Sequence, residues 1–145
     1  AIPHLIAGGR GGSIVFTSST AGLKGFGGSQ AGGLGYAASK HGIVGLMRTL
    51  ANALAPHSIR VNTVHPTNVD TPMIQNDAVR GAFRPDLDRP PTRDEFARAA
   101  TAMNLLAVPW IEAVDVANAA LFLASDEARY ITAVTLPVDA GATQR

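Results

Sequence analysis

Gly12-Ser13-Ile14-Val15-Phe16-Thr17-Ser18-Ser19 and, downstream, Gly35-Tyr36-Ala37-Ala38-Ser39-Lys40-His41 are the stretches that decide how this chain is read. The first is a short apolar run closed by two serines, the pattern of a buried strand. The second sets Tyr36 and Lys40 four residues apart, on one face of a helix, so a phenol and an ammonium can line one cleft. A lone phenol titrates near pH ~10, and a cation beside it favours the ionised form. That suits the pair to general acid/base work. Tyr-x-x-x-Lys taken alone is more often a core-capping tyrosine beside a solvated lysine, and the order of elements around it separates the two readings. A glycine-rich loop feeds the strand directly into the helix, so in a parallel sheet Ser19 falls at the carboxyl edge, where ligands bind.

Working outward, Ile59-Arg60-Val61-Asn62-Thr63-Val64 reads as a second strand. His65-Pro66-Thr67-Asn68-Val69-Asp70-Thr71-Pro72 leaves from its carboxyl end. Two consecutive strand ends then face one crevice, and the chain reads as α/β. The helix between them carries Ile43, Leu46, Met47, Leu50 and Leu54 on one stripe and ends at Pro56. Gly42 and Gly45 lie beside that stripe, where they let another backbone approach. The loop from Gly22 to Gly35 reads as a flexible connection in preference to a phosphate cradle, because no strand-to-helix turn with free amides is evident. Gly33-Leu34-Gly35-Tyr36-Ala37-Ala38 satisfies Gly-x-Gly-x-x-Ala, but a loop precedes it and no acidic residue follows at the right distance, so we treat it as a decoy.

Residues 73–109 read as a lid inserted after the second strand. Pro85, Pro90, Pro91 and Pro109 interrupt it, and Thr92-Arg93-Asp94-Glu95 is a capping-box signature that opens a short helix with Phe96, Ala99, Ala100 and Met103 on one side. Closure of such a lid would exclude water. Phe83, Phe96, Met103, Leu105 and Trp110 could contact an apolar ligand there, although aromatic and methionine stripes more often pack inward. Asp115 is expected to cap a further helix bearing Val116, Ala119, Ala120 and Leu123, and Ile131-Thr132-Ala133-Val134-Thr135-Leu136 is the expected last strand.

Composition sets the remaining bounds. With 145 residues, 46% hydrophobic and 16% charged, the chain can bury one core. Absence of cysteine excludes a disulfide scaffold, a thiolate metal site and a cysteine nucleophile, and agrees with a reducing cytoplasm. A net charge of +1 gives no reason to expect nucleic acid or an anionic membrane as partner. No apolar run approaches the ~20 residues that span a bilayer. The four histidines are scattered, and we expect no metal site, since one needs clustered ligands.

The chain resembles the short-chain dehydrogenase/reductase family almost from end to end. The resemblance rests on Ser19, on Tyr36 and Lys40, on Asn62-Thr63-Val64-His65-Pro66 followed by Thr71, and on Val138-Asp139-Ala140-Gly141. It implies a Rossmann-like doubly wound parallel sheet, of which residues 1–145 would form the carboxyl-terminal part. No glycine-rich phosphate turn after a first strand is present, and no initiator methionine. We therefore expect a piece of a longer protein whose adenosine-binding half is absent, unstable alone because its sheet exposes an edge. The resemblance also implies roles. Tyr36 gives or takes the substrate's hydroxyl proton, Ser19 holds the substrate oxygen, and Lys40 bonds the nicotinamide ribose while lowering the tyrosine pKa. Val69 and Thr71 hold the carboxamide, with Pro66 and Thr67 completing the NAD site together with Tyr36 and Lys40. An asparagine of the proton relay would lie in the missing half.

Two departures narrow the resemblance. Thr67 replaces the usual glycine after the proline, and the loop from Ser19 to Tyr36 is longer than usual. Both, with the segments His65–Met73 and Arg129–Gly141, are similar to the mycofactocin-coupled branch that includes carveol dehydrogenase-like enzymes. That implies a hydrophobic secondary alcohol or ketone as substrate, a tightly held NAD reoxidised in place by a redox partner, and a homodimer or homotetramer in which the Tyr36 helix packs on its counterpart. NADP in place of NAD, an ordinary NADPH-dependent carbonyl or 3-oxoacyl-type reductase, and a noncatalytic nucleotide-binding scaffold remain the alternatives.

Overall fold

The computed structural model of the protein describes residues 1–25 and 31–145. Three parallel strands, β1 (Gly12–Thr17), β2 (Ile59–Pro66) and β3 (Thr135–Val138), lie side by side in the order β1-β2-β3. The helices are α1 (Ile2–Gly8), α2 (Ala31–Leu54), α3 (Asp77–Phe83), α4 (Arg93–Thr101) and α5 (Ala113–Ala124). Gly12 stands opposite Ile59 and Thr17 opposite Val64, while Thr63 to Pro66 pair with Thr135 to Val138. The carboxyl ends of β1 and β2 therefore emerge at the same edge.

Alternation along the strands sorts side chains to two faces. Ile14 and Phe16 of β1, with Ile59 and Val61 of β2, meet α2 through Val44, Met47, Ala51 and Leu54. On the other face Ser13 donates to the Leu123 carbonyl (2.9 Å), and the Arg60 guanidinium donates to Leu123 (2.6 Å) and Ser125 (2.9 Å), closing the carboxyl end of α5. Helices on both faces of a parallel sheet make the doubly wound architecture expected from the sequence.

Several elements depart from the expected boundaries. The buried face of α2 is Val44, Met47, Ala51 and Leu54, whereas Leu46 faces outward at 49% exposure. Hydropathy favours Leu46, but the inner face carries the smaller Ala51. The helix is already formed at Ala31, so Gly32, Gly33 and Gly35 are helical and not loop. Residues 26–30 of the expected loop lie outside the described residues. Apart from the adjoining residues and the backbone of α2 itself, no atom of the described residues comes within 4 Å of a Cβ built on Gly42 or Gly45.

β2 runs to Pro66, two residues beyond the expected end. The last strand begins at Thr135 and not at Ile131. Ala133 adopts a left-handed conformation (φ 59°), which breaks the extended run, and the stretch before Thr135 is tied to β2 by the Ala133 amide on the Val61 carbonyl (2.8 Å), the Thr63 amide on the Val134 carbonyl (3.0 Å) and by side chains. Asn62 donates to the Ile131 carbonyl (2.9 Å) and accepts from the Val134 amide (3.0 Å), while Thr132 Oγ1 accepts from the Val61 amide (3.1 Å). Asn62, wholly buried, thus staples the turn into β3. Asp115 is likewise not the cap of α5. Glu112 is, and Asp115 in the first turn reaches back to accept from the Glu112 amide (2.9 Å).

In residues 73–109, Asn76 caps α3 by accepting from the Val79 amide (3.0 Å), and Thr92 with Glu95 forms the expected capping box on α4. Phe96 is fully buried, edge-on to Phe83 with centroids 4.9 Å apart and 5.5 Å from Trp110. Phe96 is therefore the core of this segment and not a surface open to a ligand. Arg93 lies over the Trp110 ring and pairs with Asp70 (2.5 Å), fastening α4 to the stretch that leaves β2. No helix among the described residues is long and apolar enough to cross a membrane.

Candidate active site

The site begins where β1 ends. The Ser18 amide still donates to the Val64 carbonyl (2.9 Å), prolonging the ladder by one bond. The Ser18 hydroxyl, almost wholly buried, donates to the Lys40 carbonyl (3.0 Å). Gly22 fits against the same carbonyl: a Cβ there would stand 2.6 Å from Lys40 O and 2.6 Å from Ser18 Oγ. Ser18 and Gly22 thus lock the turn after β1 onto the Lys40 turn of α2, and Ser19 follows at the carboxyl edge of the sheet.

Ser19 is extended and opens a single 3-10 turn, Thr20–Gly22. Its Oγ accepts from the Ala21 amide (3.1 Å), which leaves the hydroxyl proton available for donation. Its carbonyl accepts two bonds, from the Gly22 amide (2.9 Å) and from His65 Nδ1 (2.8 Å).

On α2 the four-residue spacing does what it predicts. The Lys40 ammonium lies 5.5 Å from the Tyr36 ring centroid and donates to the Thr17 carbonyl (3.3 Å), so phenol, cation and strand end meet at one edge of the sheet. Tyr36 is 42% exposed. Ser39 and His41 turn to the helix itself, bonding the Tyr36 and Ala37 carbonyls.

Beyond β2, Pro66 pairs with Val138, and the Thr67 amide donates to the Val138 carbonyl (3.2 Å). Thr67 Oγ1 donates to Asn104 Oδ1 (3.4 Å), and the buried Asn104 donates to the Val108 carbonyl (2.7 Å). Val69 forms a parallel bridge with Ile111, in which the Asn68 carbonyl accepts from Ile111 and the Asp70 amide donates to it. Alternation along extended backbone directs the Val69 N–H and C=O to the opposite side. Thr71 Oγ1 donates to that Val69 carbonyl (3.3 Å). The Asn68 side-chain amide nitrogen is buried with no hydrogen-bond partner among the described residues.

Sequence reasoning left three of these residues without a role: His65, Asn68 and Asn104. His65 was legible in part, because a period-two count from Ile59 and Val61 puts it on the α2 face. Nothing local marks Asn104, whose partners lie on other segments. Among the described residues no group of three or more His, Asp or Glu could hold a metal ion. The recessed surface lined by Arg10, Gly12, Ile59 and Arg60 lies at the amino ends of β1 and β2, the opposite end of the sheet from Ser19.

A family description for enoyl-(acyl carrier protein) reductases matches residues 1–143. A (-)-trans-carveol dehydrogenase of Rhodococcus erythropolis is 59% identical over 143 residues, which are 99% of this chain and 50% of that protein. The chain belongs to the short-chain dehydrogenase/reductase family. Two solved members of the family superpose on it. One, a carveol dehydrogenase from Mycobacterium avium in complex with NAD, does so with a TM-score of 0.92 and 53% identity, over 99% of this chain and 50% of that one. The other, a short-chain dehydrogenase from Mycobacterium paratuberculosis bound to NAD, gives 0.78 and 40% over 100% and 50%. This short-chain dehydrogenase/reductase chain spans about half the length of the relatives it matches.

Proposed function

We propose that the chain carries the reacting half of an NAD-dependent oxidoreductase that interconverts a hydrophobic secondary alcohol, of terpenoid or carveol type, and its ketone. The observation that carries this reading is the convergence of Ser19, Tyr36 and Lys40 on one edge of the sheet, with the Lys40 ammonium 5.5 Å from the Tyr36 ring and tied to the end of β1. NAD, when bound, supplies the carbon that accepts or returns the hydride. The residues present suit its carboxamide. The outward N–H and C=O of Val69 offer one acceptor and one donor for it, and the unspent Asn68 amide adds a second donor. Pro66, Thr67 and Thr71 would complete that wall, and the Lys40 ammonium would bond the ribose.

In oxidation the Tyr36 oxygen takes the proton of the alcohol, and in reduction it returns it. The Lys40 charge favours the negative charge that gathers on that oxygen as its proton leaves. The Ser19 hydroxyl, held by the Ala21 amide, donates to the substrate oxygen and stabilises the charge developing there. Apolar side chains at the same edge support a hydrophobic substrate. Met73 follows Thr71 closely at 80% exposure, and Leu105 and Leu106, both exposed, are fixed beside the end of β3 by amide bonds to Ala140. We place the enzyme in the cytoplasm as a homodimer or homotetramer. Its NAD is tightly held and reoxidised in place by a redox partner of the mycofactocin type.

The test is to purify the full-length protein containing this chain without added cofactor, denature it, and identify any released nicotinamide by mass spectrometry. Near-stoichiometric NAD or NADH is the expected result. Empty protein that turns over only with added NADPH would favour the ordinary reductase, and empty protein that binds no nucleotide would favour a noncatalytic scaffold. In the same protein Tyr36→Phe should lower turnover by ~10²-fold or more while nucleotide stays bound.

A further inference from the structure

His65 is wholly buried on the α2 face of β2, two residues before the strand gives way to the proposed nicotinamide wall. Both ring nitrogens are engaged, Nδ1 on the Ser19 carbonyl at 2.8 Å and Nε2 on Thr63 Oγ1 at 2.7 Å. A carbonyl oxygen only accepts, so Nδ1 must carry a proton. In the neutral ring Nε2 is then the acceptor, and the Thr63 hydroxyl donates to it. The Ser19 carbonyl therefore fixes the tautomer of the neutral ring, and the Thr63 hydroxyl, which also lies 3.3 Å from the Val134 carbonyl oxygen, adapts to it.

The Gly22 amide, which shares the Ser19 carbonyl, belongs to the same 3-10 turn and cannot fix where that turn sits relative to the sheet. His65 can, because it reaches the turn from a different strand. Buried on all sides with both nitrogens spent, the ring has no free atom for substrate. Its effect must pass through Ser19.

We propose that His65 is a positioning residue for Ser19, a neutral imidazole that braces the Ser19 turn from β2 and so aims the serine hydroxyl at the substrate oxygen. This rests on the proposed role of Ser19 as donor to that oxygen. Burial holds the imidazole below its ordinary pKa, opposed by the bond to Ser19 and reinforced by the nearby Lys40 charge, so the neutral form prevails at neutral pH. Lys40, on α2, is the charged group that bears on the ring.

The experiment is a double-mutant cycle in the full-length protein, reading kcat, KM for the alcohol, and the thermal midpoint. His65→Leu removes both bonds at similar bulk. His65→Asn keeps a donor where Nδ1 stood, whereas His65→Gln moves the donor out towards the Nε2 position. We expect His65→Leu to lower kcat on the order of tenfold or more, His65→Asn to recover most of that, and His65→Gln not to. In a Ser19→Ala background the same His65 substitutions should change kcat by less than about twofold, because there is no hydroxyl left to aim. If His65→Leu does not fold, the comparison of His65→Asn with His65→Gln carries the same test. Equal losses with and without the serine hydroxyl, or Asn and Gln behaving alike, would overturn the proposal and leave His65 a packing residue. Tyr36→Phe in the same series separates the two levels: if it retains turnover, the functional reading fails and the positioning role falls with it.

Discussion

Gly22→Ala is the perturbation that tests most directly whether the Ser19 turn must lie against α2. A Cβ at this position would stand 2.6 Å from both the Lys40 carbonyl oxygen and Ser18 Oγ, and 2.9 Å from the Lys40 carbonyl carbon, where ordinary contact begins at 3.4 Å. Two of the three clashing atoms are backbone of α2, which no side-chain rotation relieves. The turn and the helix must therefore part by about 0.8 Å. The atoms in collision are also the donor and acceptor of the Ser18–Lys40 hydrogen bond. Loss of that bond is worth about 1 kcal/mol net, and forced overpacking adds ~1–3 kcal/mol. A displacement approaching 1 Å between Ser19 and the Tyr36–Lys40 helix should cost turnover roughly 10²-fold, since reacting groups tolerate little misplacement. The assay is kcat on the full-length protein alongside a denaturant midpoint. Gly81→Ala on α3, where an added Cβ meets nothing within 4 Å, is the control for the glycine-to-alanine exchange itself. A Gly22→Ala protein with unchanged turnover and unchanged midpoint would refute the claim that this contact sets the site.

Phe96→Ala should cost about 3–5 kcal/mol, because the ring is fully buried between Phe83 and Trp110, whereas Leu105→Ala at 59% exposure should change stability little and affect KM for the alcohol instead. Denaturant unfolding with parallel steady-state kinetics separates the two. Gly141→Ala should loosen the segment after β3, since φ is +80° there and a Cβ would lie 2.7 Å from Leu105 Cβ; a raised KM with a lowered thermal midpoint is the expected pair of readings. Stability should fall as pH drops below the ordinary histidine value of 6.5, because burial depresses His65 in the folded state and the unfolded chain then binds the extra proton. The decline should continue down to the folded-state pKa of His65 and flatten in His65→Asn. Glu95, held far below the usual carboxylate range chiefly by its bonds to Arg89, contributes its own loss only at much lower pH.

Much of the architecture could be read from local pattern. β1 has the boundaries that its apolar run predicts, and the capping box opens α4 where Thr92-Arg93-Asp94-Glu95 places it. The failures share a cause. Leu46 has the hydropathy of a core residue, yet the face of α2 is chosen by where β2 lies, which no property of the helix encodes. Ile131-Thr132-Ala133-Val134 has strand composition, yet the Asn62 side chain captures the Ile131 carbonyl and the Val134 amide, and Ala133 turns left-handed. Asp115 looks like a cap because short acidic residues suit that position, and its true place in the first turn of α5 depends on the chain direction that Glu112 brings. Each is a tertiary override of a sound local preference.

The site divides along the same line. Tyr36 and Lys40 come together through helical spacing alone, so two residues of sequence suffice to see them. Ser19 does not belong to that helix, and its place depends on contacts that span the chain: Ser18 and Gly22 to the Lys40 carbonyl, and its own carbonyl to His65. Both anchors end on backbone, so the identity of the intervening loop residues matters less to Ser19 than the presence of a hydroxyl at 18, no side chain at 22 and a ring at 65. A chain with Ser19, Tyr36 and Lys40 intact but those three altered should keep its family signature and lose its rate. The converse follows too: the loop between the 3-10 turn and α2 can vary in length without moving the serine, because the turn is fixed to the sheet and helix before that loop begins.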